Sequence, residues 1–463
     1  MIARVINSDW ALPVYLLLCL ILGGASAAGV VANGIIQLSA VLIIVAVIFA
    51  GKTRQFVPST VNKLLLLWAA SIVIWLIVQL VPLPPSLWTA LPGRDILVEG
   101  IRMLDADVNA WRTIALEPEY TIASLLSLLP VAAIILLANR CSVNSLNIAM
   151  HVIILFAFVS LIVGILQILQ GAQSPLYFYS ITNHGTSTGF FANSNHLATL
   201  LLVAMILAVS GVGGVSTAGR KGRRHQGRFY VWAAISLFFF VNLLVNRSLA
   251  GVFISLLCLC YFGLIILGYY RGKNVSVRAI LISFTTALLA LPIAMYFLAD
   301  TIQTKILRST DPAFRLEFFR NTFEAAKDFF PFGAGLGNFR WIYTYYERET
   351  ISVTNFVNHA HNDWLEFLLQ SGAFGLVIVG CGCVLVAYNI KLGFSSDNGA
   401  SGNHKHGGHL VDNPAAWAPY LVLAVILLHS IVDYPLRTTA IAALAAISLS
   451  MICRGYHFTA RWP

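Results

Sequence analysis

The stretch NFVNHAHNDWLEFLLQSGAFG, Asn355 to Gly375, places His359, His361, Asn362, Asp363 and Glu366 at the mouth of an apolar run. The run continues to residue 390 and exceeds the ~20 residues an α-helix needs to cross a bilayer. Two readings of the polar cluster compete. In one, Asp363 N-caps the helix and Glu366, three residues on, completes a capping-box-like pattern. In the other, His361 is a general base at the membrane–water boundary, since neutral imidazole titrates near the working pH. At about 100° per residue, Asp363, Glu366 and Gln370 share one helix face and His361 projects oppositely. A His–carboxylate dyad within this helix is therefore not expected, and His359 falls in the preceding loop.

The rest of the chain repeats the apolar pattern. Of 463 residues, 58% are hydrophobic and 10% charged, with mean hydropathy +0.81. Soluble domains carry about 25% charged residues, so these values identify an all-α integral membrane protein. About twelve spans are expected, near 11–29, 32–50, 62–81, 121–138, 148–169, 193–213, 229–246, 249–270, 279–299, 363–390, 416–432 and 438–453. The short alternating segments of a β-barrel are absent from the sequence. The cysteines mostly lie inside apolar runs, and the pairs Cys258/Cys260 and Cys381/Cys383 point to different helix faces. They read as small buried hydrophobes rather than a disulfide framework or zinc site. Arg4, the apolar run from Ala11 to Leu22 and Ala25-Ser-Ala27 fit a signal-peptide pattern. With so many spans following, the segment reads as the first span, and a cleaved signal stays open as the alternative.

Charge sorts the connections. Lys52, Arg54, Lys63, Arg140, the cluster GRKGRRHQGR (219–228) and Arg454 fall on one side. The positive-inside rule places that side, with both termini, in the cytoplasm. Sixteen of the nineteen acidic residues fall on the other side, so the net charge of +10 is largely a topology signal rather than a nucleic-acid footprint. The chain then divides into N-terminal spans with an outward lid (1–120), central spans (121–299), a large outward loop (300–362) and C-terminal spans (363–463). In the loop, Leu316, Phe319, Phe323, Ala326 and Phe330 recur at helical spacing and predict an amphipathic helix lying on the membrane surface or against other spans.

Several polar groups on the outward side are site candidates. Arg247 sits in a very short connection, Arg315 and Arg320 on the loop helix, and Asp433 and Arg437 in HSIVDYPLR. Arginine at the lip of a bilayer usually faces a cavity or an anion, and its planar fork suits phosphate oxygens. Snorkelling to lipid phosphates is the plain alternative, strongest for Arg320. GFFANSNHLATLL (189–201) puts Asn193, Asn195 and His196 at a span entrance, as caps or as a polar cavity wall. PFGAGLGNF (331–339) lacks the flanking strand and helix of a nucleotide loop and reads as a tight turn with close backbone approach. His404, His406 and His409 lie in a Gly-rich inward loop without fixed partners, so no metal site is assigned.

Taken in order, GFFANSNHLATLL, NRSLAGVF, FRLEFFRNTFEAAKDFFPFGAGLGNF, HAHNDWLEFLLQSGAFGL and HSIVDYPLR resemble the O-antigen ligase/polymerase superfamily over about residues 189–450. The resemblance implies a GT-C-like membrane fold in the bacterial inner membrane with a periplasmic active site. It implies a glycan donor on undecaprenyl diphosphate and no cofactor. The acceptor would be a sugar of lipid A–core, a second lipid-linked repeat or a protein hydroxyl, with a slight lean to polymerisation. By position, His361 matches the family's essential loop histidine, and Arg247 and Arg315 match arginines held to engage the diphosphate, with Arg320 beside them. Asn193, Asn195, His196, His359, Asn362, Glu366, Asp433 and Arg437 are left as cavity-lining candidates. One departure concerns the stretch before GFF, where relatives carry an arginine and this chain offers only His184. The non-enzyme alternative is a flippase for lipid-linked glycans; such transporters show internal repeats, and none is evident here.

Overall fold

The computed structural model describes residues 6–26, 31–50, 60–217, 223–246, 248–270, 312–347, 357–394, 410 and 414–455. These residues are helical apart from turns and an isolated antiparallel bridge between Leu83 and Arg112. The first helices are α1 (Ala11–Leu22), α2 (Val31–Phe49), α3 (Thr60–Gln79), α4 (Pro85–Trp88) and α5 (Asp95–Met103). Then come α6 (Pro118–Arg140), α7 (Val143–Gln170), α8 (Ser194–Thr217), α9 (Arg223–Asn246) and α10 (Leu249–Tyr270). The last five are α11 (Pro312–Asp328), α12 (Phe339–Tyr346), α13 (Asp363–Phe394), α14 (Ala418–His429) and α15 (Thr439–Cys453).

Six of them, α2, α3, α6, α7, the first part of α8, and α13, are long and apolar enough to cross a membrane. Shorter apolar helices occupy the expected first, seventh, eighth, eleventh and twelfth spans, while the ninth, 279–299, lies outside the described residues. The histidine-bearing loop 404–409 does so too. The first span ends earlier than its hydropathy predicts. Past Leu22 the backbone is taken up by distant partners: Gly23 O accepts from Ala440 N and Gly24 O from Ala192 N. Those bonds replace the helical ladder and tie α1 to the starts of α8 and α15.

Helix α8 forms the centre, with Leu200, Leu201, Ala204 and Ala208 fully buried and α7, α9, α10 and α14 packed around it. A second apolar cluster lies under the loop segment, where Ala325 of α11 and Phe329 just after it meet Phe339 and Ile342 of α12 and Leu369 of α13. The face that α11 buries differs from the predicted stripe. Leu316, Phe323 and Phe330 are exposed, whereas Asn321, Thr322, Ala325, Ala326 and Phe329 are covered. The small residues on that side let α11 approach α13 closely, leaving the bulky stripe turned outward, as a lipid-facing surface requires.

The glycine-rich turn does make a close backbone approach, and its partner is a broken helix. At Gly372 the chain leaves helical geometry (φ 59°, ψ −145°) inside α13, a conformation open essentially to glycine alone. The carbonyls freed there are taken by the turn: Ala334 N donates to Leu369 O and Gly335 N to Gln370 O, each at 3.1 Å. Ala373 N in return donates to Pro331 O at 2.8 Å. A Cβ on Gly372 would collide with Pro331 O, and one on Gly333 would lie 2.6 Å from Gln370 O. Gln79, fully buried at the end of α3, closes the joint by donating to Gln370 O (2.9 Å) and accepting from Leu336 N (3.1 Å). These bonds give the broken helix backbone partners outside its own ladder, as burial in an apolar setting demands.

Candidate active site

The first turn of α13 docks against the connection between α14 and α15, and this docking assembles the site. Asn362, not Asp363, caps the helix, its Oδ1 accepting from Leu365 N at 3.0 Å. Asp363 N donates to Ser430 O at 2.9 Å, so the early N–H groups find partners outside the helix as well as at the cap. Asp363 and Glu366 are thereby released from the predicted capping box. Both point inward and share Arg437. Arg437 Nε donates to Asp363 Oδ1 at 3.2 Å, and its Nη2 stands 3.4 Å from Glu366 Oε1. Asp363 also accepts from Ser430 Oγ (2.9 Å) and Leu436 N (3.1 Å). This cation, a cavity-lining candidate by sequence, is occupied by two carboxylates.

Two imidazole–carboxylate contacts form, neither of them between two residues of the helix, in keeping with the helical wheel. His359 Nδ1 lies 3.1 and 3.3 Å from the two oxygens of Glu366, which is buried and also accepts from Ala360 N at 3.0 Å. His361 Nδ1 lies 3.4 Å from Asp433 Oδ1, a close ion-pair contact rather than an aligned hydrogen bond. The wheel is silent on both because neither histidine belongs to the helix. His361 adopts φ +51°, a left-handed conformation uncommon outside glycine, which turns it away from α13 and toward the α14–α15 connection.

Asp433 has no exposed surface. Asn193 Nδ2 donates to its Oδ2 at 3.2 Å, Asn195 Nδ2 donates to the same oxygen, and Tyr434 N donates to Oδ1 at 2.9 Å. Burial alone would raise its pKa. The His361 contact and the neighbouring His196, His361 and His429 outweigh that effect and hold the carboxyl well below the usual carboxylate range. Asn195 is itself fixed by Ser248 Oγ, which donates to Asn195 Oδ1 at 2.8 Å. Asn246 Nδ2 ties α9 to Ser187 O and Ser194 O. At the entrance of α8 Asn193 caps the helix, its Oδ1 accepting from Asn195 N at 2.9 Å, which is the first of the two sequence readings, while its Nδ2 reaches Asp433.

Tyr434 organises the histidines. Its ring centroid lies 4.3 Å from His359, 5.0 Å from His361 and 5.2 Å from His196. His196 is almost wholly buried, and Phe318 of α11 stacks over His361 at 6.3 Å. Sequence reasoning passed over Tyr434 and Gln79. The only available signals were the position of Tyr434 next to Asp433, and a lone glutamine closing an otherwise apolar span.

Arg320 is exposed on α11; Arg315 falls where the backbone alone of α11 is described, and Arg247 lies outside the described residues. His184 is also exposed, held at Ala172 O (3.0 Å) and beside Tyr177, and does not replace the arginine of relatives within the cluster. Next to His361 a groove of about 320 Å³ runs along α13, lined by Asn362, Trp364, Leu365, Leu368 and Val379 with Phe319 of α11 opposite. Its walls are almost entirely hydrocarbon.

A polytopic helical protein with a polar, histidine-rich cluster at one end of its bundle fits the class of membrane glycosyltransferase-like enzymes. A family model described as O-antigen ligase matches residues 233–380, a segment that holds His359, His361, Asp363 and Glu366. The match covers about a third of the chain and supports its resemblance to the O-antigen ligase/polymerase superfamily over that segment. Asp433, Arg437 and the α8 asparagines lie outside it. No curated protein matches the chain.

Proposed function

We propose that the protein transfers a glycan from undecaprenyl diphosphate to a sugar hydroxyl at the periplasmic face of the bacterial inner membrane, building surface polysaccharide. The observation that carries this reading is the His361–Asp433 pair. An imidazole with 29% of its side chain exposed is backed by a carboxylate with none. Such a carboxylate holds Nδ1 in its protonated tautomer and leaves Nε2 as the acceptor that draws a proton from the incoming hydroxyl. The apolar groove beside it suits the isoprenoid chain of a lipid-linked donor. Arg247, Arg315 and Arg320 are assigned to the diphosphate, with fixed positive charge opposing the charge that develops as the glycosidic C–O bond breaks. Protein groups alone supply these roles, so transfer is expected to proceed in the presence of chelator and without an added cofactor. Elongation of a lipid-linked repeat is favoured over ligation to lipid A–core.

The test is His361→Ala in cells and in proteoliposomes. The variant should fold, abolish transfer and cause lipid-linked repeats to accumulate; normal transfer would remove the base assignment. Gel profiles of a deletion strain separate the two outcomes of catalysis. Single-repeat products mark a lost polymerase, and carrier-bound polymer with uncapped core marks a lost ligase.

A further inference from the structure

The proposed base uses one of two imidazole–carboxylate pairs, and the second has no role in that reading. His359 meets both oxygens of Glu366 through Nδ1. Its Nε2 is buried and makes no hydrogen bond to any described residue. A buried polar atom without a partner points to an ordered water or to a ligand that completes it. It stands next to the proposed base, because His359 and His361 pack against the same ring, that of Tyr434.

Charge points the same way. With both carboxylates ionised, the Asp363–Glu366–Arg437 group carries one excess negative charge. The His359 ring, in contact with Glu366, is the neighbouring group that can offer a positive charge against it. The other titratable groups that face this ring from neighbouring elements are His196 of α8, and His361 with Asp433 across Tyr434. Glycosyl transfer from a diphosphate needs help at both ends of the breaking and forming bonds: a base at the acceptor oxygen and a proton or positive charge at the leaving oxygen.

We propose that His359 is a second catalytic imidazole, protonated and oriented by Glu366, whose Nε2–H serves the departing diphosphate. This rests on the transferase reading above. In the step, the acceptor O–H gives its proton to His361 Nε2 and the acceptor oxygen forms the new bond to the anomeric carbon. The bond from that carbon to the diphosphate breaks, and its electron pair leaves on the diphosphate oxygen, which takes the proton of His359 Nε2. Both imidazoles then return to their starting states by exchange with water.

Two substitutions separate this role from a merely structural partnership with Glu366. His359→Asn keeps an amide donor near the position of Nδ1 and deletes Nε2; His359→Gln puts a neutral donor near Nε2. Full-length protein in proteoliposomes is assayed with an undecaprenyl-diphosphate-linked repeat as donor between about pH 5.5 and 9. Wild type should lose rate at the alkaline end as the acid deprotonates. H359N should lower kcat on the order of 100-fold with a smaller change in KM, and H359Q should retain more activity but lose the alkaline fall. Wild-type kcat and an intact alkaline fall in H359N overturn the proposal. Should H359N fail to fold, an unchanged alkaline fall in H359Q overturns it. An active H361A removes the parent reading, whereas an inactive H361A beside a wild-type H359N removes this inference alone.

Discussion

His361 Nδ1 stands 3.4 Å from Asp433 Oδ1, joining the loop before α13 to the turn before α15. In the proposed mechanism this contact orients the imidazole, with Nδ1 toward the carboxylate and Nε2 left for the acceptor. Asp433→Asn keeps the shape but permits the amide to turn its donor toward Nδ1 and reverse the tautomer. Transfer by D433N should fall roughly 10²–10³-fold while the protein still binds donor lipid. Turnover measured on purified D433N checks this, and a loss of less than about threefold would sink the orienting role.

Arg437 contacts two carboxylates that have little exposure of their own. Arg437→Met should destabilise the protein by about 3–5 kcal/mol, because it strands buried charge. Combining it with Asp363→Asn and Glu366→Gln should recover part of that loss. Thermal melting in detergent, followed by size-exclusion chromatography, reads both variants. A triple variant no more stable than R437M would show that charge is not the cause.

Gly372 and Gln79 hold the joint between the outward turn and α13. Gly372→Ala forces a side chain into a conformation that costs of order 1–3 kcal/mol before its collision with Pro331 O is counted. Gln79→Leu strands Leu336 N and weakens the satisfaction of Gln370 O, at about 1–3 kcal/mol for each buried group left unpaired. Both should lower folded yield and melting temperature. A wild-type melting curve for G372A would contradict the observed break.

Acid stability carries the mark of Asp433, whose carboxyl is held below the usual range despite the opposing effect of burial. A group with a depressed folded pKa contributes fully above its unfolded value, near 3.9, and loses that contribution as pH falls toward the folded one. Wild type should therefore melt progressively earlier below about pH 4, and D433N should lack that part of the slope. Between about pH 5 and 8 the group stays ionised and adds no pH dependence of its own. Paired melts across this range decide it; an identical acid slope in D433N refutes the assignment.

Hydropathy made most of the helices readable, since each long span must be apolar on nearly every side. It misjudged the end of α1, where the fate of Gly23 and Gly24 depends on Ala440 and Ala192, far away in the chain. His361 stood out by its place at the end of the outward loop. Its partner did not, because a wheel drawn on one helix is blind to Asp433, which arrives from the next connection. The helix of the outward loop was legible from its apolar stripe, but not which face meets α13: there the neighbour selected small residues such as Ala325 for close approach. Asn193, Asn195, Glu366 and Arg437 were legible as candidates, but whether each capped, lined or paired depended on contacts that no local pattern encodes.

The interlock at Gly372 bears on how this family could be re-engineered. The outward turn supplies hydrogen bonds that a membrane helix lacks, and a glutamine from a third segment locks both together. A turn grafted into this scaffold from another chain would thus arrive without its counterpart. Chimeras exchanging residues 331–338 should succeed only when Gln79 and the 369–373 segment travel with them as one transplantable unit.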